Sequence, residues 1–170
     1  MSSDNPKDPI AEQIRQAREA KKGDADAAAG ERQLAAEFQR QADKAGPGEV
    51  AKIEGLFAER CETINADRAA DDPEFKYNTI THELIADRFA TYLELTEGFS
   101  PYRLDMVSGL PGNAAQMFAA GFEPEYERAN WKFLARTDDD GFFWECNGER
   151  LSSEQVVEEG LKALADNVAR

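Results

Sequence analysis

The chain has 170 residues, 41% of them hydrophobic, with 34 acids against 20 cations and a net charge of −14. That length buries a core without disulfides, and ten Phe with two Trp exclude wholesale disorder. The acidity argues against direct nucleic-acid binding, which depends on Lys and Arg neutralising phosphates, and against anionic membrane; it permits a basic protein partner and otherwise serves solubility.

Residues 1–30 are polar and Ala-rich. Asp8-Pro9 reads as the N-cap and first turn of a short helix with a narrow stripe of Ile10, Ile14 and Ala17. Gly23 to Gly30 reads as a linker. The segment buries little, so it is expected to be mobile, a short helix, or a segment that folds on a partner. Residues 31–170 read as a single α+β domain. The first residues lack a basic and then an apolar stretch, which argues against a secretory signal and for the cytoplasm. No apolar run reaches the length of a membrane span. Cys61 and Cys146 stand far apart and read as two buried thiols.

Residues 31–67 are expected to be helical, with Leu34 and Phe38 one turn apart and a break at Gly46-Pro47-Gly48. The stripe resumes at Val50, Ile53, Phe57, Cys61 and Ile64, spaced by three and four. Packing on a sheet is its expected use; self-association through a coiled-coil seam is the competing one. Asp71-Asp72-Pro73 is expected to end the element.

Residues 75–85 and 89–96 are rich in β-branched and aromatic residues and read as strands with a turn at 86–88. Tyr102 to Val107 alternates and forms a third strand. Residues 109–128 hold three Gly and two Pro; they read as a long loop around a short helix at 113–120. Trp131 to Arg136 and Phe142 to Cys146 then form a hairpin across Asp140-Gly141. Asn147-Gly148 breaks the second strand. Ser152-Ser-Glu-Gln155 is a capping box with Leu151 and Val156 as its staple. It opens a helix whose apolar face is Val156, Val157, Gly160, Leu161, Leu164 and Val168. The sum is an α+β fold: an antiparallel sheet of about five strands, with long N-terminal and C-terminal helices packed on one face.

No catalytic constellation emerges. His82 is the lone histidine and has no second histidine one turn away, so the zinc-protease pattern is missing. Two distant cysteines complete no zinc site. Neither cysteine, nor any serine, sits in a recognisable nucleophile motif. Gly109 to Gly112 lacks the Lys-Ser/Thr ending of a phosphate loop. Asp138-Asp139-Asp140 lacks calcium-loop spacing and reads as a solvated hairpin tip. The sequence therefore implies no cofactor and no metal, and a protein more readily non-enzymatic than catalytic.

The last hairpin carries aromatic groups on both faces, since Phe143 points opposite to Trp144. If one face is uncovered it is a contact surface, with Met106, Trp131, Phe133, Phe143 and Trp144 as its candidates; the competing reading makes both faces core, or closes loop 109–128, with Met117, Phe118 and Phe122, over one of them. In layout, residues 31–168 are similar to the small acidic chaperones of bacterial type III secretion. That resemblance implies a dimer that holds an unfolded protein segment. The resulting expectation is a non-catalytic protein-binding chain: an adaptor, a chaperone-like holder or an inhibitor of a basic partner. The alternative is a small-molecule pocket between the sheet and loop 109–128, with His82, Tyr102, Arg103 and Gln116 as its polar groups.

Overall fold

Short-range turn chemistry sets the sheet. The computed structural model describes residues 9–86, 91–109 and 129–168. A long helix α1 (Pro9–Asp67) is followed by strands β1 (Phe75–Asn78), β2 (Glu83–Ala86), β3 (Thr91–Gly98), β4 (Arg103–Gly109), β5 (Ala129–Asp138), β6 (Gly141–Cys146) and β7 (Glu149–Leu151), and then helix α2 (Ser153–Val168). Each strand pairs with the next in sequence, antiparallel throughout, in one seven-stranded sheet.

The α+β class follows the sequence expectation; the strand count of five does not. Two hairpins account for the difference. Asn147 and Gly148 both take positive φ (53° and 82°), the geometry of a tight two-residue hairpin turn. They turn the chain back into β7 rather than ending the sheet. Residues 75–85, expected as one strand, fold on themselves at 79–82. There the Asn78 side chain accepts the backbone N–H of Ile80 (2.9 Å) and Thr81 (3.4 Å), and His82 adopts a left-handed φ of 55°. The turn at 86–88 lies partly outside the described residues, with β2 ending at Ala86 and β3 starting at Thr91. The expected helix at 113–120 lies wholly outside them.

The chain divides into two compact units between Phe38 and Gln39. In the second, both helices pack on one sheet face. The core joins Val50, Ile53, Phe57 and Cys61 of α1 to Leu84, Leu93, Leu104, Met106, Phe133 and Trp144 of the sheet and to Val156, Val157, Leu161 and Leu164 of α2. The expected α1 stripe is thus spent on the sheet, so it is not a seam for self-association. Among the described residues, every buried core residue lies at Ala42 or beyond.

Gly46-Pro47-Gly48 does not break α1, which runs through it. A Cβ on Gly46 would lie 2.1 Å from the Tyr102 ring, so this glycine is the seat on which that ring rests. Asp43, one turn earlier, accepts the Tyr102 backbone N–H at 2.8 Å. Such contacts offset an interior proline, worth roughly 3 kcal/mol. Gly23 to Gly30 is also helical rather than a linker, because the intervening alanines favour helix more than two glycines oppose it. The helix stops at Asp67, the expected bound, four residues ahead of Asp71-Asp72-Pro73.

Beyond α1, the Asn65 side chain donates to the Phe75 carbonyl (2.7 Å) and accepts its N–H (2.9 Å). It stands in for a strand at the edge of β1. The capping box forms as expected: Ser152 N–H donates to Gln155 Oε1 at 2.8 Å, and Gln155 N–H to Ser152 Oγ at 3.3 Å. In α2, Gly160 lets the helix approach closely; a Cβ there would stand 2.9–3.0 Å from Leu93, Met106 and Phe57.

Gly160→Val is therefore expected to destabilise the protein by about 1–3 kcal/mol through overpacking. Gly55, exposed in α1 with nothing within 4 Å of its Cβ position, gives the opposite sign: Gly55→Ala should add up to about 1 kcal/mol. Urea unfolding of both variants measures the contrast.

Candidate functional site

The expected contact surface does not form as one patch. Met106, Phe133 and Trp144 have no solvent exposure, and Trp131 is half-buried against the same core. The strand registers place all four on the helix-covered face. Phe143 alone faces the other way, with the Arg150 guanidinium 4.1 Å over its ring. The Trp144 indole N–H donates to Ser153 Oγ (3.1 Å), and that hydroxyl donates to Glu49 Oε2 of α1 (2.6 Å). These aromatics organise the interior and are not available to a partner in the folded chain.

The opposite sheet face carries charge. Arg103 holds Asp105 at 3.0 Å and Arg136 holds Glu145 at 3.1 Å, while Arg150 pairs with Asp138. These pairs are partly buried or exposed, and Arg136 also donates to Gln39 Oε1 of α1 at 2.7 Å.

Of the four alternative pocket residues, the structure gathers two into one neighbourhood. His82 Nδ1 meets Glu54 Oε1 at 2.5 Å, and the Tyr77 hydroxyl donates to the same oxygen at 2.9 Å. Tyr102 is buried and its hydroxyl donates to Glu97. Between these groups lies a hollow of about 270 Å³ lined by Val50, Glu54, Thr81, His82 and Glu94 to Glu97. Strand alternation turns Glu97 toward the helices and Glu94 away from them. Arg103 lies on the charged sheet face, away from the hollow. Gln116 and most of loop 109–128 lie outside the described residues. Burial and the neighbouring carboxylates, Glu54 for Tyr77 and Glu97 for Tyr102, push both phenols well above their ordinary range. Both phenols therefore stay protonated near neutral pH.

Sequence reasoning found His82 and missed Glu54, its partner 28 residues earlier. The available signal was an acid one turn beyond Val50, at the margin of an apolar stripe.

The thiols are poor nucleophiles. Burial pushes Cys61 up to about 11, and burial likewise raises Cys146. Both are free. Among the described residues no cluster of three His, Cys, Asp or Glu is arranged to hold a metal ion, and no helix is long and apolar enough to cross a membrane.

The first unit is different in kind. From Ile10 to Glu37 its helix is almost wholly exposed, including Ile10 (64%), Ile14 (49%) and Leu34 (56%). Arg18, Lys21 and Lys22 fall within five consecutive residues, with Glu19 the one acid among them. Residues 39–170 hold 26 of the 34 acids and 14 of the 20 cations. No protein-family model, no curated protein and no solved structure matches the chain.

Native protein is expected to resist thiol alkylation until it unfolds, because little thiolate is present at neutral pH. Raised thiol and phenol values stabilise the fold fully below their unfolded values. Stability should thus fall as pH rises from Cys61's ordinary 9.0 through about 11. Urea midpoints from pH 8 upward, compared with Cys61→Ala, measure the thiol's share.

Proposed function

We propose that the chain is a non-catalytic protein-binding protein, with the helix of residues 9–38 as its docking element. One observation carries this reading: nearly thirty residues of helix expose Ile10, Ile14 and Leu34 while contributing nothing to the buried core. Isolated helices draw most of their stability from packing an apolar face. A helix left without that packing is suited to gaining it from another molecule, as helix-in-groove recognition does. Adaptor, chaperone-like holder and inhibitor all fit it.

A second reading has its own observation. The hollow beside Glu54, His82 and Glu97 is concave and polar, with no Lys or Arg in its lining. It suits a small organic cation. A ligand present well above its dissociation constant raises stability measurably, so a thermal-shift series of amines and guanidines separates the two readings.

The direct test is affinity capture from an extract of the source cells, with the full chain and with residues 39–170 as baits. Residues 39–170 contain every buried core residue among those described and are expected to fold. The full chain should recover a stoichiometric partner that the shorter bait loses. Recovery of the same partner by both baits would remove the helix from the binding site.

A further inference from the structure

We propose that the occupant of this helical face is a second copy of the chain, so that two copies dock reciprocally, each helix on the other's hollow-bearing sheet end. The inference rests on the binding role assigned above to residues 9–38 and deepens it by naming the partner.

The donor face is amphipathic. Ile10, Ile14, Ala17 and Lys21 recur at intervals of four, three and four and so form one stripe. Arg18 and Lys22 flank it one turn apart, and all of these side chains are exposed. Glu12 and Glu19 fall on the other side of the helix. An apolar stripe edged by cations, on a chain of net charge −14, calls for an acidic acceptor with apolar groups beside it.

Residues 39–170 supply one. The hollow presents Glu54, which His82 contacts, and Glu97, with no Lys or Arg among its lining residues. One residue from Thr81, Ile80 is 87% exposed; two residues from Glu97, Phe99 is 71% exposed. The β1–β2 and β3–β4 turns that carry them stand at the same end of the sheet, as the β2–β3 register requires. Ile80 and Phe99 are the two most exposed large apolar side chains among the described residues. Charge and apolarity thus match between the two surfaces. Reciprocal docking uses the contact twice in a closed two-fold pair. Repulsion between like-charged copies is screened beyond roughly 8 Å at physiological ionic strength, whereas the contact itself lies within that range.

Light scattering of the full chain tests the proposal, with Arg18→Glu/Lys21→Glu/Lys22→Glu as the reversal variant. The wild-type chain should have the mass of a dimer. The variant, its helix content unchanged by circular dichroism, should dissociate about tenfold or more readily. Carbodiimide cross-linking of mixed ¹⁴N and ¹⁵N copies should join Lys21 or Lys22 of one copy to Glu54 or Glu97 of the other. A monomeric wild-type chain, a dimer untouched by the reversal, or cross-links confined elsewhere would overturn the proposal. So would a monomer that instead sediments with anionic phospholipid vesicles. A monomer that still captures another protein through residues 1–38 overturns this inference while leaving the preceding reading intact; loss of that capture as well overturns both.

Discussion

The hydrogen-bond relay from Trp144 through Ser153 to Glu49 is the constraint on which the packed unit turns. An indole N–H buried without a partner is costly. In this chain the partner is the first residue of α2, which in turn binds α1. One buried donor therefore fixes the position of both helices over the sheet. Around it the layers close tightly. Phe142 meets the Trp144 ring edge-on at 5.1 Å, and Tyr102 lies 6.4 Å away, pressed against Gly46. On the far side of the core Phe57 stacks on Tyr77 at 5.7 Å. Gly160 brings α2 down between Phe57, Leu93 and Met106.

That closure has a functional consequence. The aromatic residues that look most like a contact surface in the sequence are consumed in holding three elements together. Among the described residues, what the core leaves for interaction includes the helix before Ala42, the charged sheet face, and the hollow between α1 and the β1–β2 turn, with Ile80 and Phe99 exposed beside it. The helix exposes Ile10 and Ile14 on one face and Leu34 on another. The hollow is polar, and its histidine is engaged with Glu54 rather than set beside a nucleophile.

The parts of the fold legible in the sequence are those governed by neighbours in the chain. The capping box, the β5–β6 hairpin and the apolar face of α2 are all short-range features. Period-2 alternation placed Phe143 opposite Trp144, and the registers agree. The missed features have tertiary causes. Gly46 reads as a helix breaker until the Tyr102 ring is seen against it. Residues 79–81 read as strand because their turn is made by the Asn78 side chain and a left-handed His82, without the usual Gly or Pro. The Glu54–His82 contact joins a helix to a hairpin turn, and neither local pattern announces it. The exposure of Ile10 and Ile14 was equally invisible, because the same stripe serves a core or a partner.

The central claim is a division of labour between a self-sufficient packed unit and an exposed helix kept for binding. Amide hydrogen exchange on the full chain, diluted until self-association is lost, tests it most directly. The account predicts slow exchange through residues 50–61 and the central strands, fast exchange through residues 10–37, and protection of the latter when binding is restored by concentration or partner. Slow exchange through residues 10–37 in the dilute chain, matching that of the core, would contradict it, since that helix would then be held by the chain's own fold.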